Sequence, residues 1–138
     1  VTIGLWSIEK INTTEAGKYI IAQLLGAGAA MLLLQNLMMG ETMMIGGDFS
    51  TGLAEAMGAF FFTFGIASVV YGRAASNFSG MVVGGSLLLG ITVAALMGSN
   101  GVINPAVALG IGSFGTMYIL GPIVGAVLGM QAYKYLQS

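Results

Sequence analysis

The stretch Gly98-Ser99-Asn100-Gly101-Val102-Ile103-Asn104-Pro105-Ala106-Val107-Ala108-Leu109-Gly110-Ile111-Gly112 decides how the chain is read. Asn104 is a favoured helix N-cap, and Pro105 suits the first helical position, where the N–H it lacks would have no partner. The helix that follows, Pro105 to Gly112, rises about 12 Å at 1.5 Å per residue, less than half of a bilayer's hydrocarbon core. It is apolar, so it does not belong in water, yet it is too short to cross. A re-entrant segment over 99–115 reconciles the two: loop residues dip into the membrane and a half-helix returns. Irregular backbone is tolerated at that depth only where it is buried or lines a water-filled cavity. This arrangement aims the positive end of the half-helix at mid-bilayer. The amide of Asn104 is then a donor there, and the carbonyls of Asn100, Gly101, Val102 and Ile103 form a ladder of acceptors.

The surrounding chain requires a membrane. Of 138 residues, 57% are hydrophobic and only 7% charged, against about 25% charge in a soluble domain. Five acidic and four basic residues leave no basic stripe with which to displace counterions, so a nucleic-acid partner is excluded. The chain has no histidine and no cysteine. Disulfide scaffolds, zinc sites, thiol nucleophiles and Ser-His-Asp chemistry are therefore excluded, and neither a metal nor a cofactor is expected. The first residue is Val1, and no cationic leader precedes an apolar core, so a signal peptide is not expected.

Four uncharged or nearly uncharged stretches are long enough to span: Tyr19–Met39, Thr51–Tyr71, Gly80–Gly98 and Thr116–Leu136. None alternates polar and apolar residues, so the expected class is all-α, one membrane domain over 1–138. Glu55 lies in the second span. A carboxylate at a helix centre costs about 2.5–3.5 kcal/mol, and the eight Leu, Ile, Phe and Val residues around it return about 2.4–4.8 kcal/mol, so insertion is feasible. With four crossings, Lys10, Lys18, Arg73 and Lys134 all fall on one side, and the opposite joints carry Glu41 and Asp48 with no cation. The positive-inside rule makes the cationic side, with both termini, cytoplasmic. Arg73 and Lys134 then read as topology anchors. The sequons Asn12-Thr13-Thr14 and Asn77-Phe78-Ser79 fall on that same side and are discounted.

The chain also repeats itself. Tyr19-Ile-Ile-Ala-Gln-Leu-Leu-Gly-Ala27 aligns with Tyr118-Ile-Leu-Gly-Pro-Ile-Val-Gly-Ala126, and Val1-Thr-Ile-Gly-Leu5 aligns with Val107-Ala-Leu-Gly-Ile111 at a slightly different offset. Residues 1–9 are thus expected to be the remainder of a second half-helix, entering from the face opposite to Asn104. That is an inverted repeat, as in several channel and transporter folds.

On Ala22-Gln23-Leu-Leu-Gly26-Ala27, Ala54-Glu55-Ala-Met-Gly58, Asn104-Pro105-Ala106 and Gly121-Pro122-Ile-Val-Gly125, the chain resembles the aquaporin and glycerol-facilitator family of major intrinsic proteins. It is similar to a partial chain without the family's first two helices and first Asn-Pro-Ala. The resemblance implies an aquaporin-like inverted-repeat bundle, here of four spanning helices plus re-entrant half-helices. It implies that Asn104 orients the permeating molecule and that Glu55 accepts hydrogen bonds from the re-entrant loop. Thr92, Gly101 and Val107 fall at positions resembling the selectivity constriction. The arginine usual after the second signature is Val107, and the histidine of strict water channels is Thr92, so a wider, more apolar passage is implied. The family also implies a homotetramer in a cell membrane.

Gly121, Gly125 and Gly129 form a small-xxx-small ladder for close helix packing. Gln23 has two open readings: a bond within its own helix, or support for the first re-entrant segment. The methionines, Met38-Met39 and Met43-Met44 among them, read as apolar filler. The leading function is a passive channel for water or a small neutral solute such as glycerol, with cations opposed by the half-helix dipoles. The alternatives are a coupled transporter on an inverted repeat and a fragment inactive alone. A lone Glu55 offers no acid–base pair, so an enzyme is not expected.

Overall fold

A computed structural model describes residues 1–37 and 47–138 of the chain. The elements are α1 (Thr2–Ser7), α2 (Thr13–Leu37), α3 (Phe49–Val70), a 3₁₀ turn at Ser76–Phe78, α4 (Ser79–Leu96), α5 (Pro105–Gly110) and α6 (Thr116–Gln137). No strand occurs among the described residues, and the four long helices are each apolar and long enough to cross a membrane. The protein is an all-α, multi-pass membrane bundle. Met38-Met39, Met43-Met44 and Glu41 lie outside the described residues.

Local chemistry sets the helix ends. α2 starts at Thr13, six residues before the expected span, because Asn12 and Glu15 form a reciprocal capping box: Glu15 N–H donates to Asn12 Oδ1 at 2.9 Å and Asn12 N–H to Glu15 Oε2 at 3.1 Å. The helix thus begins ahead of the apolar stretch that opens at Tyr19, and Lys18 lies inside it. α3 starts on Asp48, whose carboxylate accepts from Thr51 N–H at 2.9 Å and from the hydroxyls of Ser50 and Thr51. Those donors hold the Asp48 carboxyl below the usual carboxylate range. α3, α4 and α5 close with Gly72, Gly98 and Gly112 in the left-handed region. In each case the next N–H returns to the carbonyl five residues back, as Ser99 does to Ala94 at 3.0 Å and Ser113 to Ala108 at 2.8 Å. This cap ends α5 at Gly110, two residues short of the expected Gly112.

α3 is the hub. It runs parallel to α6, and the ladder Gly121, Gly125, Gly129 lies directly on its backbone. A Cβ on Gly121 would stand 2.5 Å from the Gly52 carbonyl oxygen, and one on Gly125 would strike the Ala56 carbonyl. Thr63, buried between the two helices, donates to Ala59 O at 2.8 Å in its own helix and lies 3.2 Å from Ala126 O across the seam. On its other side α3 crosses α4 antiparallel, where Gly58 and Gly90 bring the backbones together: a Cβ on Gly90 would stand 2.5 Å from the Gly58 oxygen. These contacts replace bulky side chains by backbone proximity, the usual way to pack helices where lipid removes the hydrophobic incentive.

The short helices carry the repeat into space. α1 rests on α6 and α5 rests on α2, so each half-helix sits on the long helix that follows the other. The contact residues are those the alignment pairs. Gly4 faces the Ala126 carbonyl and Gly110 faces the Ala27 carbonyl, where added Cβ atoms would lie 2.8 Å and 3.5 Å from the respective oxygens. α1 runs toward the C-terminal end of α6, where Gln131 Nε2 donates to the Ser7 carbonyl at 2.7 Å. α5 runs toward the N-terminal end of α6, to which residues 111–115 connect it. The half-helices therefore diverge from a common start.

Candidate functional site

That common start is a cleft of about 140 Å³, bounded by Val1, Thr2 and Ile3 of the α1 end and by Ile103, Asn104, Pro105 and Ala106 of the α5 end. Ile20, Gln23 and Leu24 of α2 and Pro122, Ile123 and Ala126 of α6 close its sides. Pro122 lies inside α6 and has no N–H to give to the Tyr118 carbonyl.

One carboxylate shapes the loop that delivers Asn104. Glu55 of α3 is fully buried. It accepts from Val102 N–H at 3.0 Å, from Ile103 N–H and from the Ser99 hydroxyl. Ser99 Oγ in turn lies 3.4 Å from Gly101 N. The loop's donors are thus turned toward α3. Among the described residues nothing donates to the carbonyls of Asn100, Gly101, Val102 or Ile103. The fold of the loop depends on two left-handed residues, Gly101 at φ 65° and Ile103 at φ 43°. Gly101 has no room for a side chain, since a Cβ would stand 2.9 Å from Ile91 O. A β-branched residue rarely adopts Ile103's conformation, and here the Glu55 bond to its N–H holds it.

At the head of α5, Asn104 Oδ1 accepts from Ala106 N–H at 3.0 Å, the N-cap bond. Its Nδ2 has no partner among the described residues, and the residue is only half-buried at the cleft. Pro105 and Ala106 lie beside it.

The other expected site residues separate. Gly101 is buried against α4, Val107 is 46% exposed on the outer side of α5, and Thr92 is exposed on α4 with its hydroxyl donating to Leu88 O at 2.8 Å. Val107 lines a shallow groove with Gln23, Gly26, Ala27, Ala30 and Ala106, which does not include Thr92 or Gly101. Of the two readings of Gln23, its contact falls on the second: its Nε2 donates to Thr2 Oγ1 of α1, within the half-helix over residues 1–9, at 2.8 Å. Sequence reasoning missed Ser99 and Tyr118. Tyr118 is fully buried, and its hydroxyl lies 3.5 Å from Asn100 Nδ2. Ser99 had one available signal, a hydroxyl immediately after the helix-ending Gly98.

Residues 1–133 match the family model of the major intrinsic proteins. The chain is 34% identical to the aquaporin AqpM of Methanothermobacter thermautotrophicus, covering all of this chain and 65% of that protein. It is also 34% identical to the aquaporin AqpM of Methanothermobacter marburgensis, with the same coverage. With nodulin-26 of Glycine max it shares 30% identity, over 99% of this chain and 55% of the other. The chain spans just under two thirds of the length of the two AqpM proteins.

Proposed function

The chain belongs to the major intrinsic protein family, and from that premise we propose that its residues build part of a passive channel, not an enzyme, for water or a small neutral solute. The observation that carries the reading is the Glu55-braced loop. It leaves Asn104 at the meeting of the two half-helix starts with a free Nδ2 donor, while the adjoining carbonyls accept nothing from the described protein. A solute passing in single file accepts from Asn104 and donates to the carbonyls of Asn100 to Ile103 in turn. The positive ends of α1 and α5 oppose cations at the same point.

The aquaporin names of the relatives point to water. Thr92, Gly101 and Val107 stand apart among the described residues but carry no charge, so a constriction that draws on any of them takes no cation from these positions and is wider and less polar, and glycerol crosses as well. Lys10, Lys18, Arg73 and Lys134 mark the cytoplasmic side of a cell membrane, and the family points to a homotetramer within one membrane domain over 1–138.

Light-scattering of proteoliposomes under osmotic shock tests the reading. Vesicles bearing the protein shrink in sucrose and re-swell in glycerol faster than empty vesicles, at rates unaffected by dissipating proton and sodium gradients. Asn104→Asp slows both and admits a cation leak. Uptake that collapses with the gradient, or an Asn104→Asp protein with unchanged flux and no leak, overturns it.

A further inference from the structure

Away from the half-helices, an open groove of about 360 Å³ lies at the C-terminal end of α6, lined by Tyr133, Leu136 and Gln137 and by Arg73, which follows α3. Through Tyr133 it adjoins an aromatic row. Tyr71 stacks on Tyr133 with ring centroids 5.9 Å apart, Phe64 meets the other side of Tyr133 at 5.1 Å, and Lys10 Nζ stands 4.1 Å from the Tyr71 ring centre. Beneath the row Ile8, Ile66, Ala67 and Met130 form a buried apolar cluster that fixes the tyrosines in place.

Two features of this groove point to a ligand. The first is charge. Arg73 is exposed and, among the described residues, no carboxylate pairs with it. Glu9 shares this end of the bundle but makes no ion pair, and Glu15 is engaged in the α2 cap. Arg73, the Tyr133 hydroxyl and the Gln137 amide are donors on one rim, which suits a phosphate. The second is depth. α3 and α6 are both spanning helices, so their shared end lies where hydrocarbon gives way to water, the level at which Tyr rings settle. Leu136, 72% exposed, adds an apolar wall on the same groove.

We propose that this groove binds the headgroup phosphate of an anionic phospholipid, held by Arg73 with Tyr133 and Gln137. Basic pockets at helix ends take such headgroups because the local field and the donors act on one charge. Lys10 sits one tyrosine away and extends the attraction without contacting the phosphate.

Native mass spectrometry of the full chain in detergent tests this. Phosphatidylglycerol and phosphatidylcholine of equal chain length are titrated against the wild type, Arg73→Gln and Lys18→Gln. The expected result is a single preferential phosphatidylglycerol adduct, about fivefold favoured over phosphatidylcholine, the factor one cation contributes at an anionic surface. Arg73→Gln abolishes the preference, and Lys18→Gln, a charge removed from α2, leaves it intact. Equal retention of the two lipids by the wild type overturns the proposal. So does an equal loss in Lys18→Gln, which would make it general surface charge. Displacement of the lipid by millimolar inorganic phosphate also overturns it, making the groove a site for the free ion.

Discussion

α1 and α5 are each six residues long, and each lies on the long helix that follows the other, yet they are held by different means. α1 is clamped at both ends by amides, Gln23 on Thr2 and Gln131 on the Ser7 carbonyl, and its Gly4 is pressed against the Ala126 carbonyl. α5 touches α2 at ordinary van der Waals distance through Gly110. Its position is set upstream, by the buried Glu55 carboxylate acting on loop 99–103. The difference shows how a half-helix can be fixed without occupying its own leading residue: because Glu55 bears the loop, the Asn104 amide nitrogen stays free. If this is right, damage to the two seats has different consequences, and the following variants separate them.

Glu55→Leu has the largest effect. It leaves Val102 N–H, Ile103 N–H and the Ser99 hydroxyl without their acceptor in a dry interior, each loss costing about 1–3 kcal/mol, so unfolding in a sodium dodecyl sulfate titration shifts by about 3–9 kcal/mol. Osmotic water flux falls by about tenfold or more, the order expected when a positioning group at a site is lost. An intact flux with a large stability loss would show that the loop is not what positions Asn104.

The two seats are next compared directly through their glycines. Gly4→Ala drives a methyl to 2.8 Å from a backbone oxygen and 3.2 Å from Met130 Cγ, an overpacking worth about 1–3 kcal/mol of destabilisation. Gly110→Ala meets nothing closer than 3.5 Å and gains helix propensity, up to about 1 kcal/mol. The same titration should therefore move in opposite directions. Equal losses would mean that the two seats are equally tight and the comparison fails. Gln131→Leu is milder, removing one hydrogen bond to a half-buried carbonyl for about 1 kcal/mol, and it leaves flux within twofold because Asn104 is held elsewhere. A flux loss as deep as that of Glu55→Leu would make α1 the controlling seat.

How far these features could be read from the residues follows from their range. Asn104-Pro105 announces a helix start by local chemistry, and Glu55 stands out as the one charge in a spanning stretch. The glycine ladder and the repeat are visible as spacing. The true start of α2 is not legible from the apolar stretch, which stops at Lys18, because the Asn12–Glu15 box begins the helix at Thr13. Ser99, Tyr118 and Gln131 are invisible for another reason. Each acts through a partner 18 or more residues away: Ser99 reaches Glu55 across 44 positions, Tyr118 reaches Asn100 across 18 and Gln131 reaches Ser7 across 124. Nothing in a hydroxyl or an amide announces a distant partner. Gln23 was undecidable on the same ground.

The smallest test concerns how the two half-helices end. Both close with the same pair of returning bonds: Gly112 N–H to Leu109 O at 3.1 Å and Ser113 N–H to Ala108 O in α5, Glu9 N–H to Trp6 O at 3.0 Å and Lys10 N–H to Leu5 O in α1. The left-handed residue is Gly112 in one and Glu9 in the other, at φ 75° and 61°. A side chain with a Cβ is strained there by about 1–2 kcal/mol, and glycine is not. α1 therefore carries strain at its end that α5 lacks, retained because Ile8 is buried in the cluster with Met130 and Lys10 reaches Tyr71. Glu9→Gly should stabilise the protein by up to about 1 kcal/mol, less than the strain itself because glycine also frees the unfolded chain. Gly112→Glu, its mirror, should destabilise by a similar or larger amount. If Glu9→Gly is neutral and Gly112→Glu costly, the α1 cap relaxes in the membrane, and the clamping by Gln23 and Gln131 does not extend past Ser7.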